Sequence, residues 1–405
     1  VTGPGGLPEQ SEPGRAGAPE ATASGGTAGP GRSRGHPAPS EAPAAAGPAS
    51  APPVAAVPAP GAPAPGLAGA LPPAGFAFVM ATGIISTDAY ALGPAWLSRV
   101  LLVAAAGGFA LLTVLLVIRL WRYPRAVLAD LRAPERTFGF FTVVAGADVL
   151  GVRFAAAGHP VVTAALAAAA AVVWLALTYA VPAGLLLARE RDSVLGGVNG
   201  TWLLWVVGTQ SLAISATALA VSWAAAANWL SVLAAALWGV GIVLYLMLVA
   251  LILLRWLTVP MTPAALGPPY WILMGATAIT VRAGAQLLAF PPGLPAIGAV
   301  SGLVSGFSFV LWSFGTWWVP LLIILGLWRH VRQHWPLAYE TALWSVVFPL
   351  GMYSAATFAF GHVTGLAFME PAARAMLWVA VAAWAAVAAG GLASLARLAR
   401  GPVAA

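Results

Sequence analysis

The chain has no cysteine and no lysine among its 405 residues. Without cysteine there is no disulfide framework, no zinc thiolate site and no thiol nucleophile. All 19 basic residues are therefore arginine, a bias of the kind that GC-rich coding produces. No G-x-x-x-x-G-K-[ST] loop is present, so the sequence carries no ATP-driven motor of that type. Charge of either sign is scarce: 8% of residues are charged, against about 25% in an ordinary soluble domain. With 60% hydrophobic residues, a soluble fold would lack polar surface. The net charge of +7 raises the question of a nucleic-acid partner. The arginines argue against one, because they sit between apolar runs instead of clustering with aromatics on a polar module. No Ser/His/Asp set or His/carboxylate cluster marks an enzyme, and no cofactor is expected.

Residues 1–70 are rich in Pro, Ala, Gly and Ser, and no aromatic occurs before Phe76. Such a segment cannot bury enough apolar area to offset chain entropy, which predicts a disordered tail. It also lacks the layout of a signal peptide, a basic stretch leading directly into an apolar one with a cleavage site. Residues 71–398 then form the membrane domain, followed by a short cytoplasmic tail at 399–405.

From Pro73 the chain runs in apolar stretches of about 20 residues, the length that crosses about 30 Å of hydrocarbon. The expected spans are 74–92, 97–120, 138–157, 161–188, 201–221, 229–256, 269–290, 297–328, 341–360 and 374–396. Alternate loops differ in charge. One side collects Arg119, Arg122, Arg125, Arg132, Arg136, Arg189, Arg191, Arg255, Arg329, Arg332, Arg397 and Arg400. The other holds only Arg99, Arg153 and Arg374, with His159 and His362. Positive charge stays in the cytoplasm, so both termini are expected there, and that requires an even number of spans.

The odd-numbered spans share a pattern: bulky or aromatic residues, then a glycine among small or polar residues near midspan. The glycines are Gly83, Gly146, Gly208, Gly275 and Gly351, one per helix pair, recurring every 62 to 76 residues. Thr82, Thr209, Gln210, Thr277 and Ser354 lie near the same depth. The even spans are plainer Ala/Leu/Val runs. A period this regular predicts repeated helical hairpins. Intramembrane polar side chains face protein or a water-filled cavity, and small residues allow close helix approach or leave space on an axis. The expectation is an all-α integral membrane protein, ten transmembrane helices as five hairpins around a central pore. The expected lining is Thr82, Gly83, Gly146, Gly208, Thr209, Gly275 and Gly351.

FAFVMATGIIS in the first span, PYWILMGA in the seventh and WSVVFPLGMY in the ninth resemble the tellurite-resistance/dicarboxylate transporter family. That family includes the TehA proteins and the plant slow anion channels. The likeness covers about residues 73–396. It implies five hairpins around a pore, a homotrimer with one pore per subunit, small anions as the permeant species, and occlusion by a phenylalanine that precedes a proline on the ninth helix. The matching pair is Phe348-Pro349. The residues themselves agree, since Pro349 removes a backbone hydrogen bond and kinks its helix beside the ring. Met352 and Tyr353 follow where the plant channels have smaller residues, which narrows or reshapes the pore.

Asp148 and Arg282 fall inside the third and seventh spans, at depths that let them meet as an ion pair, the arrangement an intramembrane charge usually needs. Asp88 and Arg153 lie nearer the span ends and are expected as wetted mouth residues. His330 and His334 have the i, i+4 spacing of a helical metal site, but Arg329 and Arg332 beside them disfavour a cation, so no metal is expected. The functional expectation is an anion channel or facilitative permease for small inorganic anions or organic dicarboxylates. The alternative is a proton-coupled transporter of dicarboxylate, sulfite or tellurite, with Asp148 or Glu340 as the proton site.

Overall fold

The computed structural model of the protein describes residues 66–187, 194–290 and 295–400. Most of the expected tail at 1–70, and Arg189 and Arg191, lie outside the described residues. Among the described residues, ten helices are long and apolar enough to cross a membrane. Spans 1 to 5 are Pro73–Leu92, Ala95–Arg122, Thr137–Ala156, Pro160–Leu187 and Gly200–Ser222. Spans 6 to 10 are Ala224–Thr258, Pro268–Leu288, Ile297–Arg332, Thr341–Thr364 and Met369–Arg397. They match the expected stretches one for one, with ends shifted by a few residues. No strand occurs among the described residues. A short helix, Pro124–Arg132, lies between spans 2 and 3.

The odd spans form the interior. In the most apolar stretch of each, 72% to 83% of positions are buried, against 11% to 22% for spans 2, 4, 8 and 10. Each odd span packs on the next: 1 on 3, 3 on 5, 5 on 7, 7 on 9, and 9 back on 1, which closes a ring of five. Every even span packs on the odd span of its own hairpin. The even helices turn large apolar side chains outward, among them Val103, Leu111, Val172, Leu246, Ile324 and Trp378, as a lipid-facing wall requires. Span 6 is the most enclosed of them, with 50% of its window buried, because it wedges against spans 5, 7 and 8.

All five inner spans enter from the Arg-rich side through a 3-10 turn: Pro73–Phe76, Thr137–Phe140, Gly200–Leu203, Pro268–Trp271 and Thr341–Leu343. The tighter turn reduces the number of free backbone N–H groups at each helix start. Their five N-termini converge on one face, and their aligned peptide dipoles give that face a positive potential.

The ring's seams explain the glycines. A Cβ on Gly83 would lie 2.9 Å from Val149 Cγ1 of span 3. One on Gly146 would meet Phe76 and Val79 of span 1, and one on Gly208 would lie 3.1 Å from Phe141 of span 3. Added to Gly275 it would lie 2.8 Å from Pro349 Cγ of span 9, and to Gly351 2.9 Å from Ile84 of span 1. The five glycines therefore point into neighbouring inner helices and let the ring close tightly. Lining the axis was the expected role; the structure gives them the seams instead.

The outer helices are fastened to the inner ring by a repeated hydrogen bond. Trp174 Nε1 of span 4 donates to Thr209 Oγ1 of span 5 at 2.9 Å. Trp312 Nε1 of span 8 donates to Thr357 Oγ1 of span 9 at 3.0 Å, and Trp384 Nε1 of span 10 to Thr82 Oγ1 of span 1 at 2.9 Å. Trp238 of span 6 donates to the backbone carbonyl of Thr280 in span 7 at 3.1 Å. Each outer helix thus clasps the inner helix of the following hairpin. Between spans 2 and 3 the donor is reversed, Arg153 Nη2 to Ser98 Oγ at 2.9 Å. Thr82 and Thr209 are consequently turned outward to the clasps, away from the lumen where the sequence placed them.

Candidate functional site: an axial cavity

On the ring axis, past midspan toward the Arg-poor side, lies a cavity to which all five inner helices contribute. Thr87 comes from span 1, Asp148 from span 3, Ser211 from span 5, Arg282 from span 7 and Met352 from span 9. The space open to the centre of a water is about 20 Å³. That is enough for a water or two, whose usual requirement is about 10–15 Å³ each. The cavity narrows to a size that no dicarboxylate could occupy without the ring opening.

Asp148 is buried, and both of its carboxylate oxygens are occupied. Ser211 Oγ donates to Oδ2 at 2.8 Å and Ser215 Oγ to Oδ1 at 2.8 Å. Among the described residues no arginine lies within 4.0 Å of it, so the expected ion pair with Arg282 is not formed, although both residues line the cavity. The two serines, on span 5, take the place of the arginine by satisfying the carboxylate with hydroxyl donors. A pair of serines four apart on a helix face is the signal that was available for this. Arg282 stays half-buried at the cavity wall and donates from Nη1 to the Ala355 carbonyl at 3.4 Å. Its Coulombic neighbour is Asp88, which sits beside Ser354. Asp88 is 3% exposed and its Oδ2 has no hydrogen-bond partner. Asp88 and Arg153 are therefore interior residues, where wetted mouth positions were expected. Arg153 is held by Ser98 and lies over the Tyr90 ring at 4.3 Å from its centroid, so a cation–π contact and a hydroxyl replace water.

Phe348 precedes Met352 by four residues on span 9, which puts it on the same helix face about 6 Å closer to the Arg-rich side. It is 1% exposed. The corresponding positions one turn below the cavity on spans 1, 3 and 5 are Met80, Val144 and Val207, all buried. Pro349 turns away to fill the space left by Gly275. Tyr353 leaves the axis as well: its hydroxyl shares a hydrogen bond with Thr316 of span 8 at 2.7 Å. Met352, by contrast, narrows the cavity as the sequence suggested. Glu340, the second expected proton site, lies at the Arg-rich surface 3.7 Å from Arg329 and outside the cavity. His330 and His334 do not share an α-helical face. The helix becomes a π turn over Trp328–Arg332, His334 takes a left-handed φ of 52°, and His330 Nδ1 faces the Trp335 carbonyl at 2.9 Å.

A closed ring of inner helices around a small cavity that holds an aspartate and an arginine among mostly apolar walls, with an apolar jacket, defines an all-α integral membrane protein of the channel and transporter class. Residues 70–392 match the family model described as voltage-dependent anion channel, and the chain belongs to that family. It is a membrane anion channel or transporter. An uncharacterized membrane protein of Mycobacterium tuberculosis is 46% identical over 141 residues, 35% of this chain and 71% of that protein. Two uncharacterized transporters of Methanocaldococcus jannaschii align over more of the chain. One is 26% identical over 322 residues, covering 77% of this chain and 90% of its own length. The other is 24% identical over 277 residues, covering 68% and 79%.

Proposed function

We propose that the protein is an anion channel or facilitative permease of the cell membrane, closed in this conformation by Phe348. Small inorganic anions or organic dicarboxylates move down their gradient along the axis of the five-helix ring. The carrying observation is the axial cavity itself, built from all five inner helices and containing a half-buried arginine about two turns beyond a buried Phe348. The positive ends of five parallel helices gather anions at the Arg-rich mouth. Arg282 offers the next positive charge along the path, and backbone and hydroxyl dipoles set selectivity. Both termini lie in the cytoplasm, following the arginine asymmetry. The family likeness supports a homotrimer with one pore per subunit.

The test is anion flux in proteoliposomes. Phe348→Ala is expected to raise flux about tenfold or more, since the truncation removes the ring that fills the lumen. Wild-type flux from a correctly folded variant would remove Phe348 from the gate. A second reading has a specific observation behind it. Asp148 faces the cavity with hydroxyl partners only, so it is free to take a proton without breaking an ion pair. In a proton-coupled transporter, Asp148→Asn abolishes the pH dependence of flux; in a channel it leaves that dependence in place.

A further inference from the structure

Three outer spans end on the Arg-rich side in a buried arginine: Arg119 of span 2, Arg255 of span 6 and Arg329 of span 8. In two of them the chain supplies the counter-charge. Arg119 meets Asp130 at 2.6 Å, and Asp130 also holds Arg136 at 2.8 Å. Arg329 reaches Glu340 at 3.7 Å. Arg255 is equally buried, 5% exposed, yet no carboxylate lies within 4.0 Å of it among the described residues. Its Nη1 makes one weak contact, to Met261 Sδ at 3.8 Å, and its Nε has no partner.

Beside Arg255 is a cavity of about 300 Å³, sharing no residue with the axial one. Tyr270, 2% exposed, also lines this cavity; its hydroxyl makes no hydrogen bond, and its ring packs against Trp256 with centroids 5.2 Å apart. One wall is closely packed. A Cβ on Gly200 would collide with the Pro269 backbone, so the turns leading into spans 5 and 7 pack main chain on main chain. The Asn199 side chain is fully used locally: it accepts from Thr201 and donates to the Glu135 and Gly197 carbonyls. Glu135, exposed at the rim, faces the same cavity without reaching Arg255.

A buried guanidinium with no counter-charge is costly, and a buried hydroxyl without a partner adds to the cost. We propose that this cavity is an anion site, in which Arg255 and Tyr270 bind an oxyanion of the phosphate type. The ligand replaces the carboxylate that spans 2 and 8 draw from their own loops. A guanidinium supplies the forked donor geometry an oxyanion takes, and a phenol adds one directed O–H. Glu135 at the rim repels the ligand and sets a ceiling on its charge. Two sources share this chemistry, a free anion from the Arg-rich side and the phosphate headgroup of an acidic lipid.

The full-length protein, stripped of lipid in a neutral detergent, is titrated with inorganic phosphate at fixed ionic strength while its unfolding temperature is followed. In parallel it is placed in nanodiscs of phosphatidylcholine with and without phosphatidylglycerol. A ligand that binds only the folded state raises that temperature saturably. Saturable stabilisation by phosphate supports the site with a free anion as its ligand. Stabilisation by phosphatidylglycerol alone supports it with a lipid headgroup. In either case Arg255→Gln weakens the apparent affinity roughly tenfold or more, the factor one charge-assisted hydrogen bond represents. Tyr270→Phe, which keeps the ring and so the fold, weakens it less, and Glu135→Gln tightens it. Should Arg255→Gln not fold, the last two variants decide. The proposal is overturned by no stabilisation from either probe, or by an unchanged affinity in Tyr270→Phe and Glu135→Gln. Flux through the Phe348→Ala pore reports on the axial path separately.

Discussion

The inner and outer helices of this protein are all apolar enough to cross a membrane, and they answer to different constraints. An outer helix meets lipid on most of its circumference, so long Ala/Leu/Val runs suffice and position along the helix matters little. An inner helix meets protein on every side. Its glycines must face particular neighbours, its threonines particular indoles and its serines a particular carboxylate. Glycine itself shows the difference. Gly275 has no room for a Cβ beside Pro349, whereas Gly302 and Gly306 of span 8 have nothing within 4 Å. The same residue is a seam in one layer and a neutral filler in the other.

Substitutions that move one layer's chemistry into the other give the sharpest tests. The largest effect is expected from Gly275→Leu, which drives a side chain into Pro349 and costs about 1–3 kcal/mol or more of stability. Gly302→Leu in span 8 costs under about 0.5 kcal/mol. Thermal unfolding of the two in one detergent compares the layers directly, and equal losses would erase the distinction. Next comes function: Phe348→Ala raises anion flux about tenfold, while Phe309→Ala, at a lipid-facing position 49% exposed, leaves it unchanged. The clasps between layers are weaker. Trp384→Phe keeps the ring and loses the bond to Thr82, for about 0.6–1 kcal/mol in unfolding experiments. The smallest expected quantity is a coupling. Asp148→Asn and Arg282→Gln should be additive within about 0.5 kcal/mol, because the pair does not touch. Asp88→Asn with Arg282→Gln should deviate from additivity by more. A large Asp148–Arg282 coupling would restore the ion pair that the sequence suggested.

The layers were legible in the sequence because they rest on composition averaged over about 20 residues. Ten spans, their alternation and the choice of the odd ones as the interior all follow from such averages. What escaped was direction around the helix axis. Thr82 and Gly83 are neighbours in the chain, yet one faces an outer tryptophan and the other an inner valine. The sequence marked both as midspan and small or polar, and could not assign them a face. Asp148 was found as an intramembrane charge, but its partners sit 63 and 67 positions away on a helix where serine is unremarkable. An opposite charge was the more conspicuous candidate, and it was the wrong one. Arg255 was grouped with eleven other arginines as a topological signal. Only the contrast with Arg119 and Arg329 separates it from them.

The clasp between Trp384 and Thr82 joins positions 302 residues apart. During synthesis the first four hairpins can stand only as an open arc, with the flank of span 1 uncovered toward the gap. The last hairpin is the keystone: until it is delivered, the arc has no lumen and no barrier. Closure of the ring and enclosure of the axial cavity therefore both wait for the final hairpin.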